Sequence, residues 1–224
     1  MKLGNTGILF LAAIGALIIS VLFIVLLLNV TDETKEGFDT MDATETTTWV
    51  TYENETYNFS LEHPSDWRIN VSEDEPGTPK INVYPPETDT STLPFTHHSE
   101  EVTHVSVFPH GIPTEGFFGE ATESSVDLSV PVERASDFVL DDGIPFATIA
   151  FLNTDTNAWT ESGFLFAHVR VADQKVICMR EGEELPANAC DPLMGDTLVR
   201  SGSIDSARRA ATVRILESFT FTEE

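Results

Sequence analysis

A chain of 224 residues accommodates one ordinary domain plus an anchor and is too short for two comfortable domains. Its 37 acidic residues against 12 Lys and Arg give a formal net charge of −25, a field that repels nucleic acid and anionic lipid headgroups alike. The acids are scattered rather than gathered in one tail, which suits a surface hydrated in a salty medium and equally an ordinary acidic secreted protein.

Residues 1–6 carry one side-chain cation, Lys2, and from Gly7 to Val30 there is no charged residue. A bilayer core about 30 Å thick needs about 20 apolar residues at a helical rise of about 1.5 Å each. Residues 7–30 meet that length and predict a transmembrane helix. A cleavable signal peptide usually has an apolar core of only about 7–15 residues followed by a small-x-small site. Here the run ends in Leu26-Leu27-Leu28-Asn29-Val30, a poor cleavage site. The reading is an uncleaved signal anchor. The positive-inside rule counts Lys and Arg rather than net charge and finds few of either here; with Lys2 before the segment it favours residues 1–6 in the cytoplasm, as does the long C-terminal domain behind a first apolar segment. The protein is therefore expected in the cell membrane as a single-pass chain with its C-terminal domain extracytoplasmic. Residues 31–48, "TDETKEGFDTMDATETTT", hold only Phe38 and Met41 as sizeable apolar groups and are expected to form a flexible stalk.

The domain, residues 49–224, opens with "TWVTYENETYNFSLEHP". Tyr57, Phe59 and Leu61 alternate with polar residues as in a half-buried strand. Pro64-Ser65-Asp66 supplies a turn, and Trp67 and Ile69 begin a second strand. "KINVYPP" predicts a strand around Ile81 and Val83, residues 86–100 a loop, and "VTHVSVFPHG" a strand closed by Pro109-His110-Gly111. A short helix is expected after Thr114 in "TEGFFGEATESSVDL", weakened by Gly116 and Gly119. "ASDFVLDDGIPFATIAFLN" predicts two strands joined at Asp141-Asp142-Gly143, and "ESGFLFAHVRVADQKVICMRE" a further pair turning at Ala172-Asp173-Gln174. "IDSARRAATVRILESFTF" closes the chain as an amphipathic helix, with Ala207, Ala211 and Ile215 at four-residue steps. These elements predict an α+β domain with a mostly antiparallel sheet.

The entry "YNFSLEHPSDW" and the ending "ILESFTF" resemble the two ends of PsbP-like (Mog1/PsbP) domains and their lipoprotein-like bacterial relatives. His63 departs from the pattern, standing where that family usually has an aromatic. The resemblance implies an α/β/α sandwich around an antiparallel sheet, and a binding or assembly role on a larger complex. It carries over no functional residue.

Cys178 and Cys190, the only cysteines, form an even pair that an oxidising compartment would join, closing a loop of about 13 residues. They lack the close ligand pair of a zinc site. His63, His97, His98, His104 and His110 could in principle bind Zn²⁺ or Cu²⁺, but no acidic residue stands at a fixed offset to orient them. Solvated or half-buried histidines are the preferred reading. Asn153, Asp155, Asn157 and Glu161 resemble a calcium loop. Ala158 replaces its turn glycine, however, and Phe164 its bidentate Glu, which leaves a hairpin turn. No metal or cofactor is therefore expected.

Sequons fall at Asn29, Asn54, Asn58 and Asn70. Asn29 is too near the bilayer and Asn58 lies inside a predicted strand, which leaves Asn54 and Asn70 as glycosylation candidates. Arg208, Arg209 and Arg214 form a basic island on the last helix, suited to an acidic partner or to pairing with nearby carboxylates. The chain has no Gly-x-Ser-x-Gly and no glycine-rich phosphate loop. The leading expectation is a binding or assembly module with a protein partner and no catalytic residues. A cell-envelope hydrolase or metal-dependent enzyme and a structural surface-layer component are the alternatives.

Overall fold

The computed structural model describes residues 47–73, 77–88, 102–111, 120–154, 157–186, 189–191 and 194–222. The expected membrane segment 7–30 lies outside them, as do residues 31–46 of the stalk. Among the described residues no helix is long and apolar enough to cross a membrane.

The opening stretch forms a hairpin. Strand β1 (Trp49–Asn54) pairs antiparallel with β2 (Phe59–Pro64), and the turn between them takes Asn58 at φ 48°. Tyr57 therefore sits in the turn, whereas Phe59 and Leu61 alternate into the core as expected. Ser65 and Asp66 are exposed turn residues. Trp67, just before β3 (Arg68–Glu73), is buried. Next come β4 (Pro79–Tyr84), β5 (His104–Phe108), β6 (Ala121–Glu123), β7 (Val132–Val139), β8 (Pro145–Leu152) and β9 (Phe164–His168). With β3 they form a seven-stranded antiparallel sheet in the order β3-β4-β5-β9-β8-β7-β6. The helix expected after Thr114 is not what forms at Ala121–Glu123, which is an edge strand; residues 112–119 lie outside the described set.

Strands β10 (Val171–Arg180), β11 (Glu183–Leu185) and β12 (Thr197–Ile204) make a separate three-stranded sheet, ordered β11-β10-β12. Helix α1 (Ser206–Glu217) follows, and β13 (Thr220–Phe221) returns to pair with β2. Asp205 caps α1, its Oδ1 accepting the N–H of Ala207 at 2.9 Å and of Arg208 at 3.1 Å. The buried stripe of α1 runs through Thr212, Ile215 and Leu216 on to Phe219, while Ala207 is exposed.

The α/β/α sandwich implied by the PsbP-like resemblance is corrected by this topology. The described residues are mostly strand, in three antiparallel sheets with one helix, and α1 together with the β1-β2-β13 sheet covers one face of the large sheet. The main core lies there. Phe59, Leu61, Ile215, Leu216 and Phe219 meet Ile81 and Val83 of β4, Val105 and Val107 of β5, and Leu165 and Ala167 of β9. Phe59 stacks on Phe219 at 5.2 Å between centroids, which ties the two ends of the domain together. The opposite face of β5, β8 and β9 carries Phe108, Ile149, Phe164 and Phe166 in a second apolar cluster.

A second correction concerns the predicted turn at Ala172-Asp173-Gln174. β9 and β10 do not pair. The chain leaves the large sheet at Val169, whose N–H bonds Phe146 O, and β10 then runs through Ala172 to Gln174 as a bulge. Asp173 takes φ 51° there, a bulge conformation that suits the same residue types as a turn. Opposite the bulge, a Cβ on Gly202 would meet Val171 Cγ1 at 2.5 Å and Ala172 O at 2.7 Å, so the close crossing requires glycine.

Candidate functional site

Strands β10, β11 and β12 form a ribbon attached at one end. Its base is held by Val171 and Ile204, which pack into the second apolar cluster. Asp141 N–H donates to Arg200 O at 2.8 Å, and the Arg200 guanidinium lies 5.7 Å from the Phe146 ring centre. The far end is stapled. Cys178 and Cys190 form the expected disulfide, with Cα atoms 5.7 Å apart. Beside it Arg180 donates twice to Asp196, Nε to Oδ1 at 2.6 Å and Nη2 to Oδ2 at 2.7 Å, and Asp191 N–H adds a bond of 2.7 Å. The Arg180 hydrogen bonds, then that of the Asp191 amide, hold the Asp196 carboxyl below its usual range against the opposing cost of burial.

Cys178, Cys190 and Asp196 are also the only described group of three metal-donor side chains close enough to share an ion. The two sulfurs are bonded to each other, so neither is a thiolate ligand. On the ribbon, Val176 is 38% exposed and Ile177 37%, and Met194 in the β11–β12 connection is 69% exposed, among the few large apolar side chains left to solvent in the described residues. Sequence reading found the disulfide but missed the ribbon, because the false turn at 172–174 cut its longest strand in two.

The basic island does not act as a unit. Arg208 Nη2 bonds Glu87 Oε1 at 2.6 Å and its guanidinium lies 5.6 Å from the centre of a Trp67 ring. Arg214 pairs with Glu62 at 3.2 Å and sits 3.8 Å from the centre of a Trp49 ring. Arg209 turns inward, where Nη2 donates to Thr148 Oγ1 at 2.9 Å and reaches Asp137 Oδ1 at 3.5 Å. Asp137 also accepts from Thr148 at 2.5 Å and from Ser124 at 3.0 Å. Burial pulls the Arg209 pKa down, and Asp137 opposes it.

The histidines are likewise dispersed. His63 is buried with Nδ1 on Pro64 O. His110 links two loops through Gly77 O at 2.8 Å and Ala158 O at 3.2 Å, and His97 and His98 lie outside the described residues. His104 instead faces the sixth histidine, His168, across β5 and β9, with ring centres 5.7 Å apart. Both place Nδ1 on Val102 O, at 3.2 and 3.0 Å. Burial first, then the neighbouring His168 and Lys80, lower His104 to about 3 against a weaker opposing effect of the Val102 hydrogen bond, so it is neutral. Lys80, buried nearby, is a poor neighbour for a metal cation. Parity puts His104 with Ser106 on one face of β5 and Phe166 with His168 on one face of β9, but only the β5–β9 pairing brings the two histidines together.

The calcium-like segment is organised by an apolar anchor. Trp159 is buried and its Nε1–H donates to Tyr57 O at 2.7 Å, while Asn153, Asn157 and Glu161 are exposed. Asp155 lies outside the described residues. A Cβ on Gly163 would meet Trp159 Cε3 at 2.6 Å and Pro109 O at 2.8 Å.

The sequon at Asn54 is used by the fold. Its Nδ2 donates to Tyr52 Oη at 2.9 Å and its Oδ1 accepts the N–H groups of Thr56 and Tyr57, so a glycan on Nδ2 would have to displace a partly buried bond. Asn70 is half-buried on β3, opposite Asn82. No family model matches the chain, and no curated protein or solved structure matches it.

Proposed function

We propose that the chain is a membrane-anchored extracytoplasmic binding module, held to the bilayer by residues 7–30 and presenting its β-rich domain to a protein partner outside the cytoplasm. The observation that carries the reading is the ribbon, an element stapled by Cys178–Cys190 and Arg180–Asp196 that leaves Val176, Ile177 and Met194 to solvent. A disulfide persists in an oxidising compartment, and the uncharged run Gly7–Val30 supplies an anchor of sufficient length. The acidic surface keeps such a domain soluble and away from anionic headgroups.

Alkaline extraction and protease treatment of intact cells test the placement. The full chain should stay with the membrane pellet, and added protease should remove residues beyond the anchor. A domain protected until the cells are opened would overturn the topology. Alkylation before reduction should find Cys178 and Cys190 blocked.

A further inference from the structure

Resting on that binding role, we infer that the β10–β12 ribbon is the docking element and that its occupant is a protein segment whose apolar side chains are flanked by Lys or Arg. Successive strand residues point to opposite faces, so Val176 and Ile177 put apolar surface on both sides of the ribbon. Val176 stands opposite buried Arg200, and its face continues to Cys178 of the disulfide. Ile177 stands opposite half-buried Val199, and on the other face Cys178 stands opposite half-buried Leu198. An antiparallel sheet that merely faces water keeps one side polar; this ribbon does not.

The outer edge of the ribbon lies along β12. The Arg200 carbonyl turns away from β10 to accept from Asp141. By the two-residue period the backbone groups of Leu198 face the same outer edge, one step beyond the contact with the body.

Charge selects the occupant. Asp173, Glu181, Glu183, Glu184 and Asp191 are exposed around the apolar centre against Lys175, while Arg180 is committed to Asp196. A second copy of this chain would bring the same acidic rim against itself. A cationic segment instead gains attraction at long range and a fixed register. The staple pre-organises the surface, so binding orders little new chain.

The test uses the full chain in zwitterionic-lipid nanodiscs and a seven-residue peptide alternating Val and Lys, beside a Thr/Lys peptide of equal charge. The Val/Lys peptide should bind at least tenfold more tightly, and the preference should vanish in a Val176→Ser, Ile177→Ser double variant with unchanged thermal unfolding. A benzophenone-bearing Val/Lys peptide should crosslink to residues 175–179 or 197–200 of the unsubstituted protein, a readout that needs no variant. Equal affinity for the two peptides, or crosslinks elsewhere, would overturn the inference, as would variant-sensitive dimerisation in sedimentation or variant-sensitive partition into phosphatidylcholine vesicles. Because these measurements do not depend on which side of the membrane the domain occupies, their failure is distinct from a failure of the topology.

Discussion

Lowering the pH from 7.5 to 5.0 should weaken the domain through His104. Its imidazole is buried against Phe166 and His168, with Lys80 near enough to oppose a second positive charge. The unfolded chain takes up that proton near pH 6.5, whereas the folded chain holds out until about 3. Between those values the unfolded state binds more protons, so stability falls as pH falls, by about 1.4 kcal/mol per unit once below 6.5. At pH 5.0 the loss is about 2 kcal/mol, and above pH 7.5 it vanishes. Asp196 does not confound this window. Its carboxyl is held below 3.8, so its stabilising contribution persists at pH 5 and is lost only as pH falls through its folded value. The assay is urea denaturation of the unsubstituted protein and of His104→Gln at both pH values. Each protein's own loss between pH 7.5 and 5.0 is compared, so that the packing cost of the substitution cancels. The unsubstituted protein should lose about 2 kcal/mol more than the variant. Equal losses would refute the reasoning, because they would assign the acid sensitivity to groups other than His104.

Reducing Cys178–Cys190 should lower stability by about 3 kcal/mol on the chain-entropy account of its 12-residue separation; limited proteolysis should then cut first between β11 and β12. Trp159→Ala should cost about 3–5 kcal/mol by equilibrium unfolding, because it empties a site lined by Phe59, Phe219 and Phe221 and abandons the Tyr57 carbonyl. Asp137→Ala should cost about 3–5 kcal/mol in the same measurement, since it leaves the Arg209 guanidinium without its carboxylate in a mostly buried site.

The parts of the fold that were legible in the sequence rest on local chemistry. Asp141-Asp142-Gly143 makes the β7–β8 turn, with Gly143 at φ 84° and Ile144 N–H bonded to Asp142 Oδ1. The closing helix forms as α1 with Ile215 buried as expected, although the stripe runs through Thr212 and Leu216 rather than Ala207. What was not legible depends on partners distant in sequence. β4, β5 and β9 are buried at every position, so alternation cannot say which face of each strand meets α1. Ala172-Asp173-Gln174 has turn composition, and only pairing with β12 reveals a bulge in a continuous strand. Trp159 sits in polar surroundings along the chain, and its core is assembled by residues about a hundred positions upstream and sixty downstream. In the candidate site, compartment chemistry foretold the disulfide, whereas the exposed apolar ribbon appears only once β10 is whole.

The surplus of acid acquires a physical meaning from where the cations go. Arg209 is bound to Asp137 in the interior and Arg180 to Asp196 beside the disulfide. Arg208 and Arg214 each lie near a tryptophan while pairing with a glutamate. Arg68, Arg134 and Arg200 lie over Tyr84, Phe151 and Phe146. Most of these arginines therefore tie an aromatic face or a carboxylate into the fold, a use to which the planar guanidinium is better suited than a lysine ammonium. With 37 acidic residues against 12 Lys and Arg, the field at the surface is negative. The ribbon meets that field with Val176 and Ile177 exposed, a combination that favours cationic, apolar-centred partners over copies of itself.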